Sequence, residues 1–128
     1  MFRSADGSWS HDFAEHQNAE RKCIGQSPPR LVDGETATGF QRAAMPGGNT
    51  SMVCNWGSRG IGYINADMTL TLTRDPEGPA LGLLAQNHIA AAGIAVGTAV
   101  LYDRNGALGT SVVSTVSNAR RQVDLSGL

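Results

Sequence analysis

From position 64 onward apolar and polar residues alternate. Ile64, Ala66, Met68, Leu70 and Leu72 interleave with Asn65, Asp67, Thr69, Thr71 and Thr73. A period of two sends successive side chains to opposite faces of an extended chain, so this stretch predicts a strand with one apolar face. A second strand is predicted over 81–90, with Leu81, Leu83, Ala85, Asn87 and Ile89 on one face and His88 on the other. A third follows over 94–102 and a fourth over 108–117. The links are short: turn residues from Arg74 to Pro79, then Gly93, then Asp103, Arg104, Asn105 and Gly106. None is long enough for a parallel crossover, so the strands must run antiparallel.

Upstream the rhythm changes. Phe40, Ala43 and Ala44 share a helical face, and Thr36 or Thr38 can cap it, which predicts a helix over 36–56. Pro46, Gly47 and Gly48 break it in the middle, and Gly57 suits its C-terminal end. A short extended segment over 21–26 stops at Pro28 and Pro29. Residues 1–20 form a polar tail with no period, in which the isolated Phe2, Trp9 and Phe13 favour docking over disorder. Residues 119–128 form a second tail. Between them, 21–118 is a single α+β domain, an antiparallel sheet wrapped around one helix. One helix covers one face only, and Gly93, Ala95, Gly97 and Ala99 leave the third strand nearly flat. Both features imply contacts from another subunit.

Composition narrows the function. The 128 residues suit one domain; 41% are hydrophobic, 16% are charged, and the net charge is −1. Lysines and arginines are scattered, which excludes an electrostatic nucleic-acid binder. The longest apolar run, 89–101, is too short to span a membrane, and the first residues lack the apolar core of a secretory signal. Cys23 and Cys54 read as free thiols in a reducing, cytoplasmic setting, and neither has metal-ligand spacing. No cofactor motif stands out: the glycine-rich stretch 57–62 precedes a strand, where a nucleotide-binding loop would open a helix.

Collinear short motifs carry a resemblance over residues 25–117. They are Pro29 to Glu35, Phe40 to Ala44, Tyr63 to Leu70, the turn 76–79, the strand 93–97 and the hairpin Leu101 to Gly109. In these the chain resembles the hotdog-fold acyl-CoA thioesterases of fatty acid metabolism, and is most similar to the C-terminal hotdog of the TesB-like double-hotdog enzymes. The resemblance implies a long antiparallel sheet around a central helix. It also implies hydrolysis of a fatty acyl-CoA, with the acyl tail between helix and sheet, at a site between two hotdogs. The second hotdog would come from a homodimer or from a longer double-hotdog chain.

The family's helix acid falls near Asn49, its strand hydroxyl near Asn87 or His88, and its last-strand glutamine at Val113 or Ser114. Asn49, Asn87, His88 and Ser114 are therefore the candidate catalytic residues. His88 is the natural base, because an imidazole in water titrates near neutrality. Asp67, Arg59 and Gly60 are candidates for holding substrate: a carboxylate for amides, a guanidinium for phosphate, and a backbone amide in a glycine-rich loop. With the family's acid and glutamine absent, a non-catalytic acyl-binding or assembly subunit is the competing expectation.

Overall fold

The computed structural model describes residues 1–5 and 7–128. The chain forms β1 (Phe2–Ser4), α1 (Phe13–His16), β2 (Lys22–Gln26), α2 (Gly39–Gly47) and α3 (Thr50–Asn55). It continues through β3 (Trp56–Gly57), β4 (Gly60–Ile61), β5 (Tyr63–Leu72), β6 (Leu81–Ala91), β7 (Ile94–Asp103) and β8 (Gly106–Ser117), and ends in a 3₁₀ turn, Ala119–Arg121. Six strands form one antiparallel sheet in the order β1-β2-β6-β7-β8-β5, while β3 and β4 make a separate small hairpin.

This corrects the expected class. Strands hold 45% of the chain and helices 17%, so the protein is predominantly β and not an α+β sheet wrapped around one central helix. The helical segment stands where the pattern put it, but as two short pieces. Pro46 lies inside the last turn of α2, and Gly47 to Asn49 redirect the chain before α3 begins. The start of α2 is a reciprocal cap: the Gln41 amide N–H donates to Thr38 Oγ1, and the Thr38 N–H donates to Gln41 Oε1. At the break, Thr50 Oγ1 lies 2.6 Å from both the Gly47 carbonyl and Ser111 Oγ. The carbonyl can only accept, so Thr50 donates to it and takes the Ser111 proton, which pins the helix break to β8.

α3 lies directly on the sheet. A Cβ at Gly97 would sit 2.5 Å from the Cys54 Cβ, so only glycine admits the helix this closely. The small residues expected to await a partner therefore already have one. Ala95 and Ala99 are buried on the same face, and α3 fills the space above them. The core continues through Val53, Leu83, Leu101 and Leu108, leaving the helix–sheet layer filled.

The first twenty residues are docked. β1 pairs with β2, and Phe2 and Phe13 pack with Trp56 at ring separations of 5.4 and 5.8 Å. Trp9 lies against Gly25. His16 Nδ1 is 2.9 Å from Ser4 Oγ, which also receives the Asn18 amide, so both are tied to β1. Burial holds the His16 imidazole below its usual pKa. No helix is long and apolar enough to cross a membrane among the described residues.

Two β-bulges alter the faces that simple alternation predicts. Ala85 pairs with Ala99 but Asn87 pairs with Thr98, so Gln86 is the extra residue in β6. Beyond it every side chain changes sides. Asn87 and Ile89 leave the face shared by Leu83 and Ala85, and His88 joins it. A second bulge between Asn65 and Asp67 does the same to β5: Met68, Leu70 and Leu72 face the helices, whereas Ile64 faces away.

Candidate functional site

Past the bulge, His88 stands on the helix side of the sheet, beyond the C-terminal end of α3. It borders a cleft of about 540 Å³. One wall is the end of α3 and the start of the small hairpin, from Val53 to Ser58; the second is β6 from Ala85 to His88; the third is the loop Ala19, Glu20 and Arg21. Opposite His88 across the sheet is Tyr63, their rings edge to face with centroids 5.4 Å apart. Gly97, over which Cys54 of α3 packs, pairs with His88.

The walls carry two buried polar atoms without a protein partner, Asn55 Oδ1 and Trp56 Nε1. Asn55 uses its amide N–H to donate to Ser51 Oγ at 2.9 Å, which leaves its oxygen free. Unpaired buried polar atoms are costly and rare, and a ligand or water is the usual partner. The cleft itself offers the His88 imidazole, with Glu20, Arg21 and Ser58 as further polar residues of its lining. Cys54 also lines it, but burial pushes its thiol up to about 12 and its proton points to the Thr98 carbonyl at 3.4 Å. It is no nucleophile at neutral pH.

A smaller cavity of about 290 Å³ adjoins, sharing Asn55, Gly57 and Ser58 and lined further by Arg59, Gly60 and Tyr63. Gly60 has φ +88°, and a Cβ there would collide with the Val123 carbonyl, so the backbone itself requires glycine here. The Arg59 carbonyl accepts from Gln122 Nε2, which fixes the loop and leaves the guanidinium exposed at the cavity's mouth.

No match was found. No family model fits this chain, and no curated protein or solved structure matches it. The site therefore has to be judged on its geometry.

That geometry sets four of the seven expected residues along these cavities: His88 in the cleft, Asn87 beside it with its side chain turned to the opposite face, and Arg59 and Gly60 in the neighbour. It does not bring in the other three. Asn49 lies at the junction of α2 and α3, where its amide donates to Gln26 Oε1 at 3.3 Å. Ser114 is exposed on the face of the sheet away from the helices, paired with Asp67 on the same side. His88 and Ser114 are thus on opposite faces. Residues not anticipated for the site are Glu20, Arg21, Asn55, Trp56 and Ser58. Their sequence context reads as tail, helix end and loop, and no local period marks them.

A larger hollow of about 610 Å³ lies elsewhere, lined by Trp9, Tyr102, Pro79 and Leu81. None of the expected residues reaches it. Its buried carboxylate, Asp103, is fully engaged by Arg74 at 2.7 and 2.8 Å and by the backbone N–H groups of Glu77 and Asn105. Among the described residues no three His, Cys, Asp or Glu side chains converge as a metal site would require.

Proposed function

We propose that the protein is a cytoplasmic acyl-CoA thioester hydrolase acting in fatty acid metabolism, with its chemistry in the His88 cleft. One observation carries this reading: the bulge at Gln86 turns His88 onto the helix side, where it borders a cleft of about 540 Å³ together with Glu20, Arg21 and Ser58. The resemblance to acyl-CoA thioesterases supplies the substrate class.

In this reading His88 removes a proton from a water that attacks the thioester carbonyl. The carbonyl electrons move to oxygen, where a donor from the cleft's polar wall, Ser58 or Arg21, meets the developing charge. Collapse re-forms the carbonyl and breaks the C–S bond, and the imidazolium returns its proton to the departing CoA thiolate. Arg21 and Arg59, which line the cleft and its neighbour, are the cations available for CoA phosphates. The filled layer between helices and sheet favours short acyl groups over long ones, because the cleft's apolar walls are limited to Ala19, Val53, Trp56 and Ala85.

A binding-only role is the second reading. It is favoured by Asn49 and Ser114 lying outside the cleft, which leaves the site without a carboxylate beside His88 except Glu20. Release of free CoA thiol from acyl-CoAs of two to sixteen carbons separates the readings. The hydrolase reading expects turnover that falls at least a hundredfold in His88→Ala. Binding of acyl-CoA with no turnover at any length would overturn it and establish the second reading.

A further inference from the structure

We propose that the face of the sheet turned away from the helices is an interface on which a second copy of this chain packs, sheet against sheet. The proposal is independent of the thioester reading, because this face lies on the other side of the sheet from the His88 cleft. The register places the exposed aliphatic residues in two adjacent rows across four strands. Ile89, Val96, Ser114 and Asp67 form one row; Ala91, Ile94, Val116 and Ile64 form the next. Ile64, Ile89, Ile94, Val96 and Val116 remain 51, 68, 60, 37 and 47% exposed. Isolated surface aliphatics are ordinary, but a contiguous set is the mark of a contact surface.

Both isoleucines that widen this patch are there because of a bulge. Without the extra residue in β6, Ile89 would share the side of Leu83 and Ala85; without the one in β5, Ile64 would share the side of Met68 and Leu70. Two independent irregularities therefore move apolar side chains off the covered face and onto the uncovered one.

The chemistry of the face selects the partner. Apart from Tyr102, whose phenol is tied to Cys23, Asp67 is its one ionisable side chain across β5, β6, β7 and β8, and it sits on the edge strand, where water still reaches a packed rim. A charged partner finds nothing complementary here, whereas an equally flat, neutral sheet does. Two such faces pack about 10 Å apart with their strands within about 30°. The area is adequate: four strands at about 4.8 Å spacing and about ten residues at 3.3 Å give roughly 600 Å² per copy. Two copies then bury about 1,200 Å², the lower bound for a stable interface.

Sedimentation of the whole chain from 1 to 100 µM tests the proposal. A dimer is expected, and the double variant Ile94→Lys, Val96→Lys should weaken its dissociation constant at least a hundredfold with an unchanged circular dichroism spectrum. A wild-type monomer at 100 µM would overturn the proposal, as would a dimer that the double variant leaves intact, since the contact would then lie elsewhere. Should that variant not fold, hydroxyl-radical labelling of the wild type above and below the dissociation constant decides. Protection of Ile89, Ile94 and Val116 in the dimer supports the face-to-face contact, and equal labelling refutes it.

Discussion

Lys22 is a fully buried cation with no carboxylate against it among the described residues. Its ammonium donates to the Asn18 carbonyl and Asn18 Oδ1, both at 2.9 Å, and to the Glu20 carbonyl at 2.7 Å, and it lies 5.7 Å from the Trp56 ring. Three donors thus meet three acceptors, but none of the acceptors repays the loss of hydration as a counter-ion would. Burial accordingly lowers its pKa from 10.5 to about 8. The folded chain then releases the proton before the unfolded chain does. Between pH 8 and 10.5 the unfolded state binds more protons, so Lys22 makes stability rise with pH in that window. From pH 7 to pH 9 the gain is about 1.3 kcal/mol.

Cys23 and Cys54, whose thiols burial pushes up, act oppositely above pH 9, so the comparison must be differential. Lys22→Met keeps the apolar stem and removes the charge. At pH 7 it should cost about 2 kcal/mol, because three acceptors lose a charge-assisted partner. Urea unfolding of wild type and variant at pH 7, 8 and 9 is the assay. The gap between them should widen by about 1.3 kcal/mol across that range. Parallel curves would refute the reasoning, since they would mean that the ammonium is as well solvated in the fold as outside it.

Two further outcomes test the frame around the site. The Arg74 pair and two backbone N–H groups hold the Asp103 carboxyl well below the usual carboxylate range. Its contribution is therefore complete above about pH 4 and drains as acid protonates it, and Asp103→Asn should remove that acid limb and cost about 2–3 kcal/mol at pH 7, read by thermal unfolding at pH 2–7. Gly97→Ala should cost about 1–3 kcal/mol by forcing α3 off the sheet, and the shift should show as a loss of near-ultraviolet signal from Trp56 at the end of that helix.

The strands were legible because alternation is local: Thr69, Thr71 and Thr73 announce their spacing within a few residues. The helix break was legible for the same reason, in Pro46 and the two glycines after it. For residues 1–20 the aromatics pointed to docking but not to its partners, because what orders them is distant in sequence, Phe2 against Trp56 and Gln17 against Asp124, 107 residues away. The site was half legible. His88 and Asn87 could be found as polar residues in an apolar strand, whereas Asn55 and Trp56 gain meaning only when β6 comes alongside the end of α3. Ser114 shows the sharper limit. Val113 and Ser114 are neighbours in sequence, yet Val113 pairs with Gly97 under α3 and Ser114 turns outward, so an uncertainty of one residue chose between the two faces of the sheet.

The bulge at Gln86 turns that sensitivity into architecture. Strict alternation puts Asn87 and Ile89 on the side of Leu83, and His88 away from it. One inserted residue exchanges them, and it does so where β6 begins to border the cleft. Before Gln86 the helix side of β6 needs apolar residues, and Leu81, Leu83 and Ala85 supply them. Beyond it the helix side is a cleft that can hold an imidazole, while the opposite side gains Ile89. A strand without the bulge would have to bury His88 in the exposed aliphatic face and leave Ile89 lining a polar cleft, so a single local irregularity determines both the candidate site and the apolar surface behind it.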